Sequence, residues 1–246
     1  MKIIVNGAKG RMGKVLCELI NASDKYELAA AVDTFATEEE EGLIADINSF
    51  EGEADCIIDF SHHTCAPALC EYASKHGMPL VIATTAHTDE EKSVIKKASE
   101  RAPIFLSANM SLGIAVTAKL VKEAMAFFPD AEVEIVEIHH DRKLDVPSGT
   151  ALILANEVVD ARPDSKIVIG RHENGKRTKN EIAVHSLRYG NVVGDHEVII
   201  SAGTQTIHIR HEAHDRSLFA EGALAAADFL YDKAPGMYDM KNVVGD

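Results

Sequence analysis

Short apolar runs punctuate the first half of the chain, at residues 2–6, 28–32, 54–60, 78–84 and 103–107. Three of the four gaps between them carry helical spacing. In one, Val15, Leu16, Leu19 and Ile20 recur within 14–21; in another, the polar stretch 89–101 keeps a helical period. Brief apolar runs alternating with amphipathic helices predict βαβ units around a parallel sheet. The glutamate-rich stretch 37–42 reads as a solvated loop or the start of a helix.

The period changes after about Ser111. Residues 114–128 read as a long helix closed by Pro129-Asp130. Residues 132–140 then alternate at period two, with Val133, Ile135 and then Ile138 set between Glu132, Glu134 and Glu137, which marks a half-buried strand. A second helix is expected over 148–160, with Ser148 as its N-cap after Pro147. Strand-like runs follow at 166–170, 181–187, 197–202 and 205–212, separated by Gly- and Asn-containing turns. This half predicts a mixed or antiparallel sheet with helices on one face. Residues 217–231 return to a helical period and can pack back on the first half.

Composition narrows the function. The 246 residues exceed the usual domain of about 100–150, so two small domains or one large one are expected. Hydrophobic residues make up 46% and charged residues 26%, which excludes disorder over most of the chain. No apolar run approaches the ~20 residues that span a bilayer, and Gly7 interrupts the first run too early for a signal-peptide core. Acidic residues outnumber Lys and Arg by 39 to 25, a net charge of −14. Such a field repels phosphate backbones and anionic membranes, so any anionic ligand must meet local positive groups. The cysteines Cys17, Cys56, Cys65 and Cys70 form no CxxC pair. They read as reduced thiols of a cytoplasmic protein.

Two segments carry candidate chemistry. The first is Gly7-Ala8-Lys9-Gly10-Arg11-Met12-Gly13, between the first apolar run and a helix. Its GxxGxxG spacing is a variant of the fingerprint that lets a backbone approach a pyrophosphate at a helix N-terminus. The second apolar run ends at Asp33, where an acid would meet ribose hydroxyls. The bland alternative is a structural turn in another α/β fold. Asp33 disfavours a 2′-phosphate, while Lys9 and Arg11 could partly offset that repulsion. The expected cofactor is therefore NADH or NADPH, with NADH slightly favoured.

The second segment is Glu137-Ile138-His139-His140-Asp141-Arg142-Lys143, running on to Ser148-Gly149-Thr150. Two imidazoles and a lysine offer proton donors, and a helix N-terminus offers a seat for a carboxylate. The bland alternative has Arg142 and Lys143 simply pairing with nearby carboxylates on a solvated strand end. A metal is not expected, because adjacent strand residues such as His139 and His140 point to opposite faces. His62, His63, His185, His196, His208, His211 and His214 read as structural or solvated.

With these motifs in place, the chain resembles the 4-hydroxy-tetrahydrodipicolinate reductase family, the dihydrodipicolinate reductases of the diaminopimelate route to lysine. The likeness rests on N-G-A-K-G-R-M-G at the start, I-D-F-S at 58–61, S-A-N-M-S-L-G at 107–113 and E-I-H-H-D-R-K-L-D-V-P-S-G-T-A at 137–151. It continues through S-L-R-Y-G-N-V-V-G-D-H at 186–196, R-S-L-F-A-E-G-A at 216–223 and P-G-M-Y-D-M at 235–240. The resemblance implies a Rossmann-like doubly wound parallel domain over 1–110, completed by 217–246. It also implies an α+β domain with a mixed sheet over 111–216 that binds substrate and builds a homotetramer.

Residue by residue, it implies cofactor contacts at Gly7, Ala8, Lys9, Gly10, Arg11, Met12 and Asp33. Ala83, Thr84, Thr85, Ser107, Ala108, Asn109 and Met110 would line the nicotinamide side. His139 would donate and accept a proton, Lys143 would donate one, and His140, Gly149 and Thr150 would hold the carboxylates of a small dicarboxylate substrate. Two departures stand out: Ala83-Thr84-Thr85-Ala86 replaces a usual G-T-T-G, and Met110 replaces a frequent aromatic. The residues alone also leave open a dehydrogenase of another small carbonyl or imine, and a non-catalytic dinucleotide-binding redox sensor.

Overall fold

A computed structural model of the chain describes residues 1–37 and 42–245, so most of the glutamate-rich stretch 37–42 lies outside the described residues. The elements in chain order are β1 (Lys2–Asn6), α1 (Arg11–Asn21), β2 (Glu27–Val32), β3 (Leu43–Ile44), β4 (Cys56–Asp59), α2 (Ala66–His76), β5 (Leu80–Ile82), α3 (Asp89–Ala98) and β6 (Pro103–Leu106). Then come α4 (Leu112–Phe127), β7 (Glu132–His139), α5 (Gly149–Ala161), β8 (Lys166–Ile169), β9 (Glu181–Arg188), β10 (Gly194–Ser201) and β11 (Thr206–Ala213). The chain closes with α6 (Ser217–Leu230), β12 (Gly236–Tyr238) and α7 (Met240–Val243). It divides into two compact units, Met1–Leu112 with Ser217–Asp246, and Gly113–Arg216.

The first unit is built on a seven-stranded parallel sheet in the order β12-β6-β5-β4-β1-β2-β3. Its central strands are apolar on both faces, with β4 and most of β1 buried residue after residue. That is the pattern of a parallel sheet covered on both sides. Helices α2 and α3 pack together, with Leu69, Tyr72 and Ile95 joining Ile57, Ile82 and Ile104 in one core cluster. Helix α1 packs on α6, which also lies along β4, β5 and β6. The five expected runs are all strands, but β3 and β12 were not expected. Both are edge strands of two or three residues, too short to show a period. Expected strand 78–84 shrinks to Leu80–Ile82, because the residues after Ile82 turn aside toward the β4 end.

The second unit has a five-stranded sheet in the order β11-β10-β7-β9-β8, parallel where β9 meets β7 and β8 and antiparallel around β10. Val121 and Met125 of α4 and Leu154 and Val158 of α5 meet Val133, Ile135, Val184, Val198 and Ile200 in its core. Truncating a fully buried Ile such as Ile135 to Ala should cost about 2–5 kcal/mol. One expectation is corrected here. The buried positions of β7 are Val133, Ile135, Glu137 and His139, so Ile138 is not part of the inward set. Strict period two carries the inward face through Glu137 and onto His139.

Candidate active site

The parallel sheet reverses its strand order between β1 and β4, and the loops at the carboxyl ends of such strands part to leave a crevice. A cavity of about 370 Å³ lies there, with Gly7, Lys9, Gly10, Asp33, Phe35 and Phe60 in its walls. Gly7 has φ +81°, and a Cβ on it would stand 2.7 Å from the Ser61 backbone. A Cβ on Gly13 would stand 2.0 Å from the Gly7 carbonyl oxygen. The loop is therefore drawn against β4 and α1 as closely as a chain without side chains allows. Helix α1 starts with Gly10 as its N-cap and no side-chain hydrogen bond across it. Its first N–H groups and its dipole make a seat for an anion.

Asp33 is buried at the end of β2. Its Oδ2 accepts the Lys9 N–H at 2.9 Å and its Oδ1 accepts the Phe35 N–H at 3.0 Å, while Lys9 Nζ donates to the Phe35 carbonyl at 2.9 Å. The glycine loop and the turn after β2 are thus locked to one acid. A cradle that any Cβ would fill, an uncapped helix start, an acid and two phenylalanine walls fit a dinucleotide.

Of the residues expected to touch a cofactor, Gly7, Lys9, Gly10 and Asp33 meet at this cavity, whereas Ala8, Arg11 and Met12 do not line it. Ala8 is buried beneath the loop, and Arg11 and Met12 already belong to α1. Asn6, Phe35, Phe60, Ser61 and His62 do line it and were missed. For Phe60 and Ser61 the I-D-F-S motif at 58–61 was an available signal.

Ala83, Thr84 and Thr85 follow β5, and Ser107–Met110 follow β6; neither group lines the cavity. Thr84 is buried under the loops, bound to Asp59 at the end of β4. The Asp59 carboxylate, fully buried, takes four hydrogen bonds. Oδ1 accepts Asn6 Nδ2 at 2.8 Å, the Ser61 N–H at 3.0 Å and the Ser61 hydroxyl at 2.5 Å; Oδ2 accepts the Thr84 hydroxyl at 3.3 Å. Burial pushes this carboxyl up, and the hydrogen bonds pull it only partly back. Ala86, two residues beyond Thr84, has φ +65°. Ser107 Oγ donates to the Asn109 carbonyl at 2.8 Å, and Asn109 Oδ1 accepts the Ser111 N–H at 2.8 Å, folding the strand end into a turn above buried Met110.

In the second unit the strand register assembles the His139 segment. Across β7 and β10, Glu137 faces His196; across β7 and β9, His139 is level with Arg188. Glu137 is fully buried and both of its oxygens are doubly engaged. Oε2 meets His139 Nδ1 at 2.6 Å and accepts Arg188 Nη1 at 2.8 Å; Oε1 accepts Arg188 Nη2 at 2.7 Å and the Ser148 N–H at 3.2 Å. Desolvation opposes its charge, but the bonds from His139 and Arg188 outweigh it and hold the carboxyl well below the usual range.

Ser148 caps α5 by accepting the Ala151 N–H at 3.1 Å, and its Oγ also lies 3.1 Å from His196 Nε2. Desolvation, reinforced by His139, lowers His196 to about 3, so it stays neutral. The His139 and His196 rings meet edge to face at 5.1 Å.

The loop carries the remaining expected residues. Lys143 Nζ pairs with Asp145 at 2.8 Å, and Arg142 bonds Asp141 and Asn191, each at 3.0 Å. Those pairings are what the bland reading of this loop foresaw for both cations. Desolvation and then Arg142, His139, Arg216 and Lys143 lower His140 from its ordinary value. Gly149 and Thr150 open α5, and nothing stands within 4 Å of where a Gly149 Cβ would be.

His196, expected to be structural or solvated, is structural: β10 carries it to the core side of the site, against the Ser148 cap. Glu137, His139 and His196 have ligand atoms within 4.8 Å of one another, the one such buried group among the described residues. A cation there would compete with the Arg188 guanidinium for both Glu137 oxygens, so the cluster is already neutralised without a metal. Arg188 and Glu137 were also missed as site residues. Their signal was parity: a carboxylate on the inward face of a strand needs partners.

Two family models account for most of the chain. The one described as dihydrodipicolinate reductase, N-terminus, matches residues 1–110, and the one described as dihydrodipicolinate reductase, C-terminus, matches residues 113–244. A 4-hydroxy-tetrahydrodipicolinate reductase of Caldanaerobacter subterraneus subsp. tengcongensis is 41% identical over 246 residues, covering 99% of this chain and 98% of that protein. One from Brachyspira hyodysenteriae is 38% identical over 245 residues, covering 99% of this chain and all of its own. Among solved structures, a dipicolinate-bound dihydrodipicolinate reductase from a Paenisporosarcina species shares the fold, with TM-score 0.81 at 22% identity and 98% of each chain covered. A diaminopimelate dehydrogenase of C. glutamicum shares it more distantly, at TM-score 0.60 and 13% identity, over 98% of this chain and 93% of that one.

Proposed function

The chain belongs to the dihydrodipicolinate reductase family, and from that premise we propose that it reduces 4-hydroxy-tetrahydrodipicolinate to tetrahydrodipicolinate with NADH or NADPH, in the diaminopimelate route to lysine. The observation that carries this reading is the corner formed by His139, His140, Lys143 and the start of α5 in a chain of net charge −14. It gathers proton donors and positive potential where a small dianion would need them.

Gly7, Lys9, Gly10 and Asp33 would hold the dinucleotide, with Ser107–Met110 and Ala83–Thr85 toward its nicotinamide. When bound, it supplies the hydride. The chain supplies the rest. Loss of the substrate's hydroxyl as water leaves a conjugated cyclic imine. As C4 gains hydride, electron density moves toward the ring nitrogen, and protonated Lys143 and His139 stabilise it. A proton then goes to C3, so hydride and proton together saturate one carbon–carbon double bond. His140, Gly149 and Thr150 hold the two carboxylates. Acid groups placed in this way contribute about 10²–10⁴-fold. Lys143 is free for this only when Asp145 releases it, and an anionic substrate is a competitor for that pairing.

Asp33 favours NADH, since its carboxylate would meet a 2′-phosphate and Lys9 Nζ is spent on the Phe35 carbonyl. Arg11, on α1, is the remaining cation of the loop. The protein would work as a cytoplasmic homotetramer; copies would join through the outer face of the five-stranded sheet, where Val136, Ile138 and Ile199 are half-buried. No helix among the described residues is long and apolar enough to cross a membrane. A non-catalytic redox sensor would have no use for His139, Lys143 and the Ser-Gly-Thr turn together.

The test is oxidation of NADH and then NADPH followed at 340 nm, with substrate made fresh from pyruvate and aspartate semialdehyde by a coupled synthase. Substrate-dependent oxidation, faster per unit KM with NADH, is expected. Folded protein that binds a dinucleotide but oxidises neither would return the sensor reading.

A further inference from the structure

Each oxygen of Glu137 is shared between two donors, and those donors come from three places: the end of β7, the end of β9 and the start of α5. Glu137 hydrogen-bonds both His139 and the backbone of the helix start that would receive a substrate carboxylate. The carboxylate can only accept, so the hydrogen between it and His139 belongs to Nδ1. Nε2 is then the atom left to exchange a proton. On the β10 side a Cβ on Gly194 would stand 3.0 Å from Nε2, so the glycine keeps that atom clear.

We infer that Glu137, oriented by Arg188, is a positioning residue for the reaction: it holds His139 in the Nδ1–H tautomer, with Nε2 as the working atom, and fixes its distance from the α5 start. It touches neither substrate nor cofactor. The inference rests on the role given above to His139. A glutamine could not substitute: whichever way its amide turned, its NH₂ would face the Arg188 guanidinium and either His139 or the Ser148 N–H, all donors.

The first reading is taken on the parent protein. Nitrogen-15 NMR of the histidine side chains in the full chain, with the His139 signal identified by its loss in His139→Gln, is expected to give protonated Nδ1 and bare Nε2 for the neutral ring. The Nε2–H tautomer would overturn the proposal. The second reading is Glu137→Gln. Its kcat should fall by about 10²-fold or more with the dinucleotide KM within about twofold of the parent. A kcat within about threefold of the parent, or a dinucleotide KM that rises in step with the loss, would overturn it. If Glu137→Gln does not fold, the parent's tautomer decides alone. A parent that turns over no substrate sinks the reductase reading instead, and its tautomer still reports on Glu137.

Discussion

Each unit carries, at or near the end of a central strand, a fully buried carboxylate that ties several loops together: Asp59 on β4 and Glu137 on β7. The donors differ. Asp59 is held by an amide, a backbone N–H and two hydroxyls, all neutral, and burial raises its pKa. Glu137 is held by a guanidinium, an imidazole and a backbone N–H, and its pKa is driven down. On the proposed reading, the neutral hub shapes loops around a cavity for a ligand that would bring its own reactive hydrogen, and the charged hub steadies the group that would move a proton. A buried carboxylate alone says nothing of chemistry; the character of its donors does.

The comparison breaks most sharply at Arg188. Arg188→Met leaves the Glu137 charge buried with no cation beside it except through His139. Unfolding in urea should show a loss of about 3–5 kcal/mol, the scale on which removing one partner of a buried ion pair is felt. The double variant Glu137→Met with Arg188→Met should recover much of that stability, because the charge is gone too, yet remain as inactive as Glu137→Gln. A double variant no more stable than Arg188→Met alone would mean that the hub's shape, not its charge balance, holds the unit together.

The same contrast has a pH signature of opposite sign. Glu137, depressed in the folded state, contributes stability that is complete above the unfolded glutamate value of about 4.3 and is lost as pH falls below it. Asp59, raised in the folded state, keeps its proton where the unfolded chain has lost it. Its contribution therefore declines as pH rises above about 3.9. Urea midpoints between pH 3 and pH 7 (about 1 to 3 kcal/mol per molar unit of denaturant being the usual slope) should lose their low-pH fall in Glu137→Gln. In Asp59→Asn they should instead rise more steeply toward pH 7 than the parent's do.

How much of this was legible depended on whether a residue's neighbours lie along the chain or across a sheet. The glycine loop and Asp33 were readable because the whole device is local: a strand, a turn, a helix start and the next strand's end. The His139 segment was readable as chemistry for the same reason. Arg188 and His196 were not, because they are 49 and 57 residues from His139 and arrive through strand pairing, which a single sequence does not reveal. Glu137 lay in view but was assigned to the polar face, since Ile138 beside it imitated the inward phase. The edge strands β3 and β12 were too short to carry a pattern.

Asp59→Asn tests the neutral hub at a smaller scale. The amide oxygen can take the three bonds now made to Oδ1, and the amide NH₂ can donate to the Thr84 hydroxyl, which passes its own hydrogen to His87 Nε2 at 3.1 Å. All the partners can be satisfied, so stability at neutral pH should stay within about 1 kcal/mol of the parent or exceed it. A loss of about 3 kcal/mol or more would show that the hub depends on the Asp59 carboxylate itself and would erase the distinction from Glu137.

The finest adjustment lies beside that hub. Ala86 sits at φ +65°, the left-handed region that costs a residue with a Cβ about 1–2 kcal/mol. Glycine escapes that cost but gives back about 0.5–1 kcal/mol through the freedom of the unfolded chain. Ala86→Gly should therefore raise stability by about 0.5 kcal/mol, read as a shift in urea midpoint at unchanged slope. The loop from Thr84 to His87 is pinned at both ends, by the Asp59 bond and by the Thr88 cap of α3, so the strain has nowhere to relax. Unchanged stability would mean that the turn opens in solution and that the neutral hub, unlike the charged one, holds its loop only loosely.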